Sequence, residues 1–276
     1  MALSIHDQVT LNNGTTMPRF GLGVFQAKAG GETAQAVRWA FEAGYRHVDT
    51  AALYGNEEDV GRAVIASGIP RNEIFVTSKV WNEDLRRGRV REAFETTMEK
   101  LGLATVDLFL IHWPVPGKFI EAWHVLEELY DDGRIRAIGV SNFLEHHLGA
   151  LLAEARVVPA VNQVEWHPWL QQPALMDACR ARGIVFQAWS PLMQGRVVEV
   201  PELVELGRKH GKSAAQIAIR WGLQREVVMI PKSVRRERII ENAAVFDFEL
   251  SEEEVSVING LDRGHRFGAD PDDFDF

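Results

Sequence analysis

One rhythm limits what this chain can fold into. Short apolar runs at residues 20–25, 46–50, 74–80, 106–113, 135–142, 160–166, 184–190 and 227–233 alternate with amphipathic stretches. Several of those stretches stop at glycine (Gly44, Gly68, Gly102, Gly133, Gly183), the residue that closes a helix in the left-handed conformation. Apolar residues at helical spacing, such as Ala36, Trp39, Ala40 and Ala43, mark the stretches as helices and the runs between them as strands. Strand–helix units repeated in this way predict an α/β fold, a (β/α)8 TIM barrel. The Asn12-Asn13-Gly14 turn between two short runs predicts a β-hairpin at the N-terminal side. Residues 201–210 and 252–260 predict an extra helix before the last unit and an extra C-terminal helix. The competing arrangement, an open doubly wound sheet, calls for a G-x-G-x-x-G turn after an early strand. Phe20-Gly21-Leu22-Gly23-Val24-Phe25 supplies two of those glycines and opens no helix. Without a linker or a repeat, residues 1–276 are expected to form a single barrel domain.

Composition narrows the partners. A net charge of -9 argues against nonspecific nucleic-acid binding. The single cysteine, Cys179, permits no internal disulfide and fits a reducing compartment. No run approaches the roughly 18 apolar residues of a membrane span. The first residues, with His6 and Asp7, show no apolar signal core. A cytoplasmic protein with no membrane partner is expected.

Three consecutive strands end on ionisable residues: Asp49, Lys79 and His112. Neighbouring strands of a parallel barrel share one rim, so these side chains can converge, with Tyr54 arriving on the loop beside Gly55. Taken singly, each has an ordinary alternative. Asp49 suits a helix cap, Lys79 an ion pair, and His112 a core position. Phe25, Trp81, Trp113 and also Trp123 are candidates for the walls of a pocket, whereas Trp39 and Trp221 sit on helical faces that suit the core. Lys232, Arg235, Arg236 and Arg238 form a basic cluster where the eighth strand hands over to its helix. Cations oppose the dipole there, and a bound anion such as a phosphate would relieve them.

The segment Gly44 to Glu57, followed by Lys79 and His112, resembles the aldo-keto reductase family. So do Ile138-Gly139-Val140-Ser141-Asn142, Val161-Asn162-Gln163-Val164-Glu165 and Ile230-Pro231-Lys232-Ser233. The likeness spans nearly the whole chain and is nearest to the bacterial 2,5-diketo-D-gluconate reductase group. It implies an NADPH-dependent oxidoreductase with a catalytic tetrad of Asp49, Tyr54, Lys79 and His112. It also implies that Ser141, Asn142 and Gln163 hold the nicotinamide carboxamide and that Trp189 stacks on the ring. The loop with Ser190, Leu192 and Gln194 would follow the pyrophosphate. Lys232, Ser233 and Arg238 would take the 2′-phosphate, with Val234 also at the cofactor and Glu241 and Asn242 at the adenine. Phe25, Trp81 and Trp113 would wall the substrate site together with Tyr54 and His112.

Physical chemistry assigns roles within that set. Hydride attack on a carbonyl develops charge on oxygen, so a proton donor and hydrogen-bond donors must meet it. Tyr54 is the expected acid. A free phenol titrates near 10, and a close ammonium commonly lowers that by about 1–3 units. No metal is expected in the site. The loop after the fourth strand, residues 112–118, is short, and the tail after Arg263 reads as acidic with little apolar cover. An open pocket for small polar carbonyls, such as keto sugar acids or 2-oxoaldehydes, is therefore expected. An NADPH-binding regulatory or structural protein with little turnover is the alternative, and the intact tetrad argues against it. A monomer is expected.

Overall fold

The computed structural model describes residues 3–276. Strands β1 (Gln8–Thr10) and β2 (Thr16–Pro18) form an antiparallel hairpin. Gly14 makes the turn at φ 84, a conformation open to glycine without a Cβ penalty. The hairpin closes one end of the molecule. Its Leu11 and Met17 are buried in a cluster with Phe75, Leu108, Ala137, Val161 and Val228. Asn12 donates to the Pro159 carbonyl at 3.0 Å, and Asn13 to that of Arg136 at 2.8 Å.

Eight parallel strands follow: β3 (Leu22–Gly23), β4 (His47–Asp49), β5 (Phe75–Val80), β6 (Val106–Ile111), β7 (Ile135–Ser141), β8 (Val161–Glu165), β9 (Val185–Trp189) and β10 (Val228–Met229). Each pairs with its predecessor in the order of the sequence. Bridges Phe20↔Met229 and Gly23↔Lys232 join the first strand region to the last, closing the ring. The Gly21 N–H reaches the Met229 carbonyl at 2.9 Å, and the Met229 N–H reaches that of Arg19 at 3.0 Å. The expected barrel is thus present.

Amphipathic helices cover the strands because their apolar stripes have no other place to be buried. They include Glu32–Glu42, Glu57–Ala66, Val90–Leu101, Phe119–Asp131, Glu145–Glu154, Pro173–Arg180, Ala214–Gln224 and Arg236–Ala243. Packing is tight where Gly61 meets the Leu101 carbonyl: a Cβ there would collide with it. Both extra helices are found, Pro201–His210 and Glu252–Asn259. The second starts with a reciprocal cap between Ser251 and Glu254. A short helix, Asn82–Arg86, was not anticipated. Trp123 is a correction. It is fully buried behind the barrel, donates its indole N–H to the Val157 carbonyl at 3.2 Å, and walls no pocket. Among the described residues no helix is long and apolar enough to cross a membrane.

Candidate active site

The barrel register brings the ionisable residues together. Asp49 ends β4, Lys79 lies near the end of β5, and His112 follows β6 directly. Tyr54 ends a single 3₁₀ turn, Ala52–Tyr54, which stops at Gly55 in the left-handed conformation. The Lys79 ammonium has three N–H bonds and three oxygen acceptors. These are Asp49 Oδ1 at 2.6 Å, the Thr50 carbonyl at 2.9 Å and the Tyr54 hydroxyl oxygen at 3.3 Å. Lys79 and Asp49 are both buried. The Tyr54 hydroxyl, accepting from Lys79, keeps its own proton for another partner.

Burial works against the charge of Lys79, but the Asp49 carboxylate and Tyr54 outweigh it and hold the ammonium above its ordinary value. Tyr54 corrects the expected direction. Burial pushes the phenol up, Lys79 pulls it back, and the net shift is upward. The nearby Asp49 carboxylate adds to the upward push of burial. Burial, and then the charge of Lys79, drive His112 well below the usual imidazole range, so it is neutral at pH 7. Its ring meets those of Tyr54 and Trp81 edge-on, at 5.8 and 5.1 Å.

The residues expected beside the nicotinamide interlock. Asn142 sits at φ 63 and donates through Nδ2 to the His112 carbonyl at 2.9 Å. Its Oδ1 accepts the Trp189 indole N–H at 2.8 Å. Ser141 Oγ donates to the Gln163 carbonyl at 2.7 Å. The Gln163 side chain donates to Asp49 Oδ2 at 2.6 Å and to Gln187 Oε1 at 3.0 Å. A buried polar line thus runs Lys79–Asp49–Gln163–Gln187. Gln187 escaped the sequence reading because it lies inside its strand rather than at the end. The following loop is contorted: Ser190, Met193 and Gln194 all take left-handed φ of 54–55. Leu192 packs half-buried in it, and Gln194 is exposed.

At the handover from β10 to the helix Arg236–Ala243, Ser233 is buried and its Oγ accepts the Arg235 N–H at 3.1 Å. No side chain caps that helix. Among the described residues, Lys232, Arg235 and Arg238 have no carboxylate within 4.0 Å, while Arg236 faces Glu42 at 3.8 Å. Val234 packs half-buried on the core, Asn242 is buried and Glu241 is exposed.

Two of the aromatic rings expected as walls border Tyr54 and His112, and Trp113 meets the tail. Phe25 lies 5.0 Å from the Tyr54 ring and is half exposed, Trp81 borders His112, and Trp113 is buried. The tail overturns one expectation. Phe276 stacks on Trp81 (5.7 Å, 8°) and meets Trp113 edge-on at 5.2 Å, while Phe274 lies 5.1 Å from Trp113. A main-chain oxygen of Phe276 accepts from Asn82 at 3.2 Å and from Arg86 at 2.7 Å. Further back, the buried Glu165 carboxylate accepts the Phe267 and Gly268 N–H groups at 2.7 and 3.0 Å. The tail is acidic but brings an aromatic cover. Phe274-Asp275-Phe276 alternates, and that was the signal available in the sequence.

Comparison with known proteins adds to this geometry. Residues 19–263 match the Aldo/keto reductase family. The chain is 51% identical over 276 residues to the glyoxal reductase of Bacillus subtilis (strain 168), covering 100% of both. It is 45% identical to the methylglyoxal reductase DkgA of Escherichia coli (strain K12), over 96% of this chain and 97% of that one. It superposes on the crystal structure of a Gox0644 mutant in complex with NADPH with a TM-score of 0.93. The two share 40% identity, over 98% of this chain and 99% of that one.

Proposed function

Because the chain belongs to the aldo/keto reductase family, and so is an oxidoreductase, we propose that it reduces small polar carbonyls to alcohols with NADPH and Tyr54 as the acid. The observation that carries the reading is the saturation of Lys79: its three acceptors leave the Tyr54 proton as the one free to leave.

The residues present fit the cofactor. Cations without carboxylate partners stand at an uncapped helix N-terminus, which suits a phosphate monoester. Lys232, Ser233 and Arg238 would hold the 2′-phosphate, with Val234 beside it and Asn242 and Glu241 near the base. Trp189, fixed by Asn142, offers a ring face for the nicotinamide, with Ser141 and Gln163 behind it and the Ser190–Leu192–Gln194 loop alongside. The bound cofactor supplies the hydride.

The chain's own residues do the rest. Tyr54 gives its proton to the carbonyl oxygen as charge develops there. Lys79, kept charged by Asp49, donates to the phenolate that remains. Neutral His112 offers a ring N–H to the same oxygen, and such donors commonly contribute a few kcal/mol each, about 3. Phe25, Trp81, Trp113, Phe274 and Phe276 supply an aromatic rim over this polar floor. The mouth suits 2-oxoaldehydes first, as the glyoxal and methylglyoxal reductase relatives suggest. Keto sugar acids, 2,5-diketo-D-gluconate among them, come second.

Single-turnover reduction of methylglyoxal by Tyr54→Phe tests the reading. The expected loss is roughly 10²–10⁴-fold, with NADPH binding intact. A variant that reduces at the parental rate shows that Tyr54 is not the acid. Alongside it, kcat/KM for methylglyoxal, a keto sugar acid and a steroid ketone should fall in that order, and a leading steroid would contradict the substrate class.

A further inference from the structure

We propose that His146, His147 and Asp272 form a binding site for a divalent transition-metal ion of the zinc type, which fastens the C-terminal tail across the mouth of the active site. The site lies outside the machinery described above and does not depend on the reaction assigned to it.

The two histidines lie in the first turn of the helix Glu145–Glu154, the one after β7, and Asp272 comes from the tail, far along the chain. His146 Nε2 lies 2.9 Å from Asp272 Oδ1, and His147 Nε2 lies 3.3 Å from the same oxygen. One ligand atom from each residue falls within 4.8 Å of the others, the span that a common metal centre requires. Among the described residues no other group of three histidine, cysteine or carboxylate side chains meets that condition.

Two imidazoles and one carboxylate suit zinc, copper or nickel and are poor ligands for magnesium, which prefers oxygen. Zinc takes nitrogen at about 2.0–2.1 Å and carboxylate oxygen at about 2.0–2.2 Å, with water free to fill a fourth position. The histidine side chains are unequally fixed. His146 is 62% exposed and free to adjust, while His147 is 12% exposed and wedged edge-on against Phe119 and Phe143. His147 Nδ1 also accepts the Leu144 N–H at 3.2 Å. Coordination through Nε2 moves the ring proton to Nδ1 and exchanges that long contact for a metal–nitrogen bond.

The position gives the site its consequence. Asp272 is held in a turn by its own N–H to Asp270 at 3.0 Å. Two residues on, Phe274 packs on Trp113, and Phe276 follows on Trp81 and Trp113. A metal held by all three ligands therefore ties these rings to the barrel.

Zinc chloride titration by calorimetry tests binding, with magnesium chloride as the control, on the parent, His146→Ala, His147→Ala and Asp272→Asn. The parent should bind zinc saturably and ignore magnesium, and each variant should lose most of that affinity. Release of Phe276 by the serine enzyme carboxypeptidase Y reads the tail directly. At zinc of about 100 times Kd the release should slow by up to about 100-fold in the parent and not in His146→Ala, if the lifted tail cannot bind. Undiminished zinc binding in the variants overturns the proposal, as does saturable binding that leaves Phe276 release unchanged. Neither readout uses turnover, so failure here is separate from failure of the reductase reading.

Discussion

Gly268→Ala should loosen the cofactor site by displacing Trp189, without replacing any residue assigned to hold the cofactor. A Cβ at Gly268 would stand 2.4 Å from Cη2 of Trp189 and 3.2 Å from Glu165 Oε2. Carbon atoms settle at roughly 3.5–4.0 Å, so something must move by about 1 Å or more. Two responses are open. The tail can lift, which strips the Phe267 and Gly268 N–H groups from a buried carboxylate. Bonds to a charged acceptor are worth about 1.5–3 kcal/mol each. Alternatively the indole can swing and give up its N–H bond to Asn142, a neutral contact worth about 1 kcal/mol. The second response costs less, so Trp189 should yield. Asn142 also holds the His112 carbonyl, so the disturbance reaches the acid's neighbour. The expected result is an NADPH Kd raised by about five- to tenfold, or about 1–1.4 kcal/mol. Quenching of tryptophan fluorescence on NADPH titration measures it, with a melting curve to confirm the fold. Unchanged Kd together with a tail newly open to protease would show that the tail gave way and the reasoning is wrong.

Other outcomes can be checked in the same way. Arg238→Ala should weaken NADPH more than NADH, since charge-assisted contacts to a phosphate are lost, and equal weakening in fluorescence titration would remove it from the 2′-phosphate. Deleting Phe276 should uncover Trp81 and Trp113 and raise kcat/KM for bulky aromatic aldehydes relative to methylglyoxal; an unaltered ratio would mean that the ring does not limit the mouth. His47 is buried, and burial above all pushes its imidazole down to about 4. The unfolded chain takes that proton near 6.5, so between these values it binds a proton that the native state lacks. Stability should therefore fall by about 3 kcal/mol as pH drops from 6.5 towards 4 and be flat with respect to His47 above 7. Urea melts of the parent and His47→Gln across that range decide it, since a variant with the parental slope would exonerate His47.

The fold was legible because its signal repeats. Each apolar run and glycine stop could be checked against the others, and the register then placed Asp49, Lys79 and His112 on one rim. What escaped was set by tertiary balance. The upward shift of Tyr54 depends on how deeply the phenol is buried, which no spacing encodes. Trp123 sits on a helix whose inward face is known only once its neighbours are placed. The tail misled because its charges dominate its composition, while two rings at alternate positions decide where it lies. Glu165 ends a strand, as Asp49 does, yet the two N–H groups it takes from the tail, those of Phe267 and Gly268, lie more than 100 residues away in the chain.

The contorted loop after β9 sets a limit on how this protein could adapt to heat. Ser190, Met193 and Gln194 each hold a backbone conformation that a side chain disfavours, at roughly 1 kcal/mol or more apiece. Replacement by glycine would remove that strain from the folded chain, though it also frees the unfolded one. A lineage under selection for thermal endurance alone would drift towards such changes. One that must also keep the loop shaped for its ligand would not, because glycine would slacken the very curve it relieved. Persistence of residues other than glycine at these three sites in heat-adapted relatives would mark the loop as held by use, and resistance to heat would then have to be found elsewhere in the barrel.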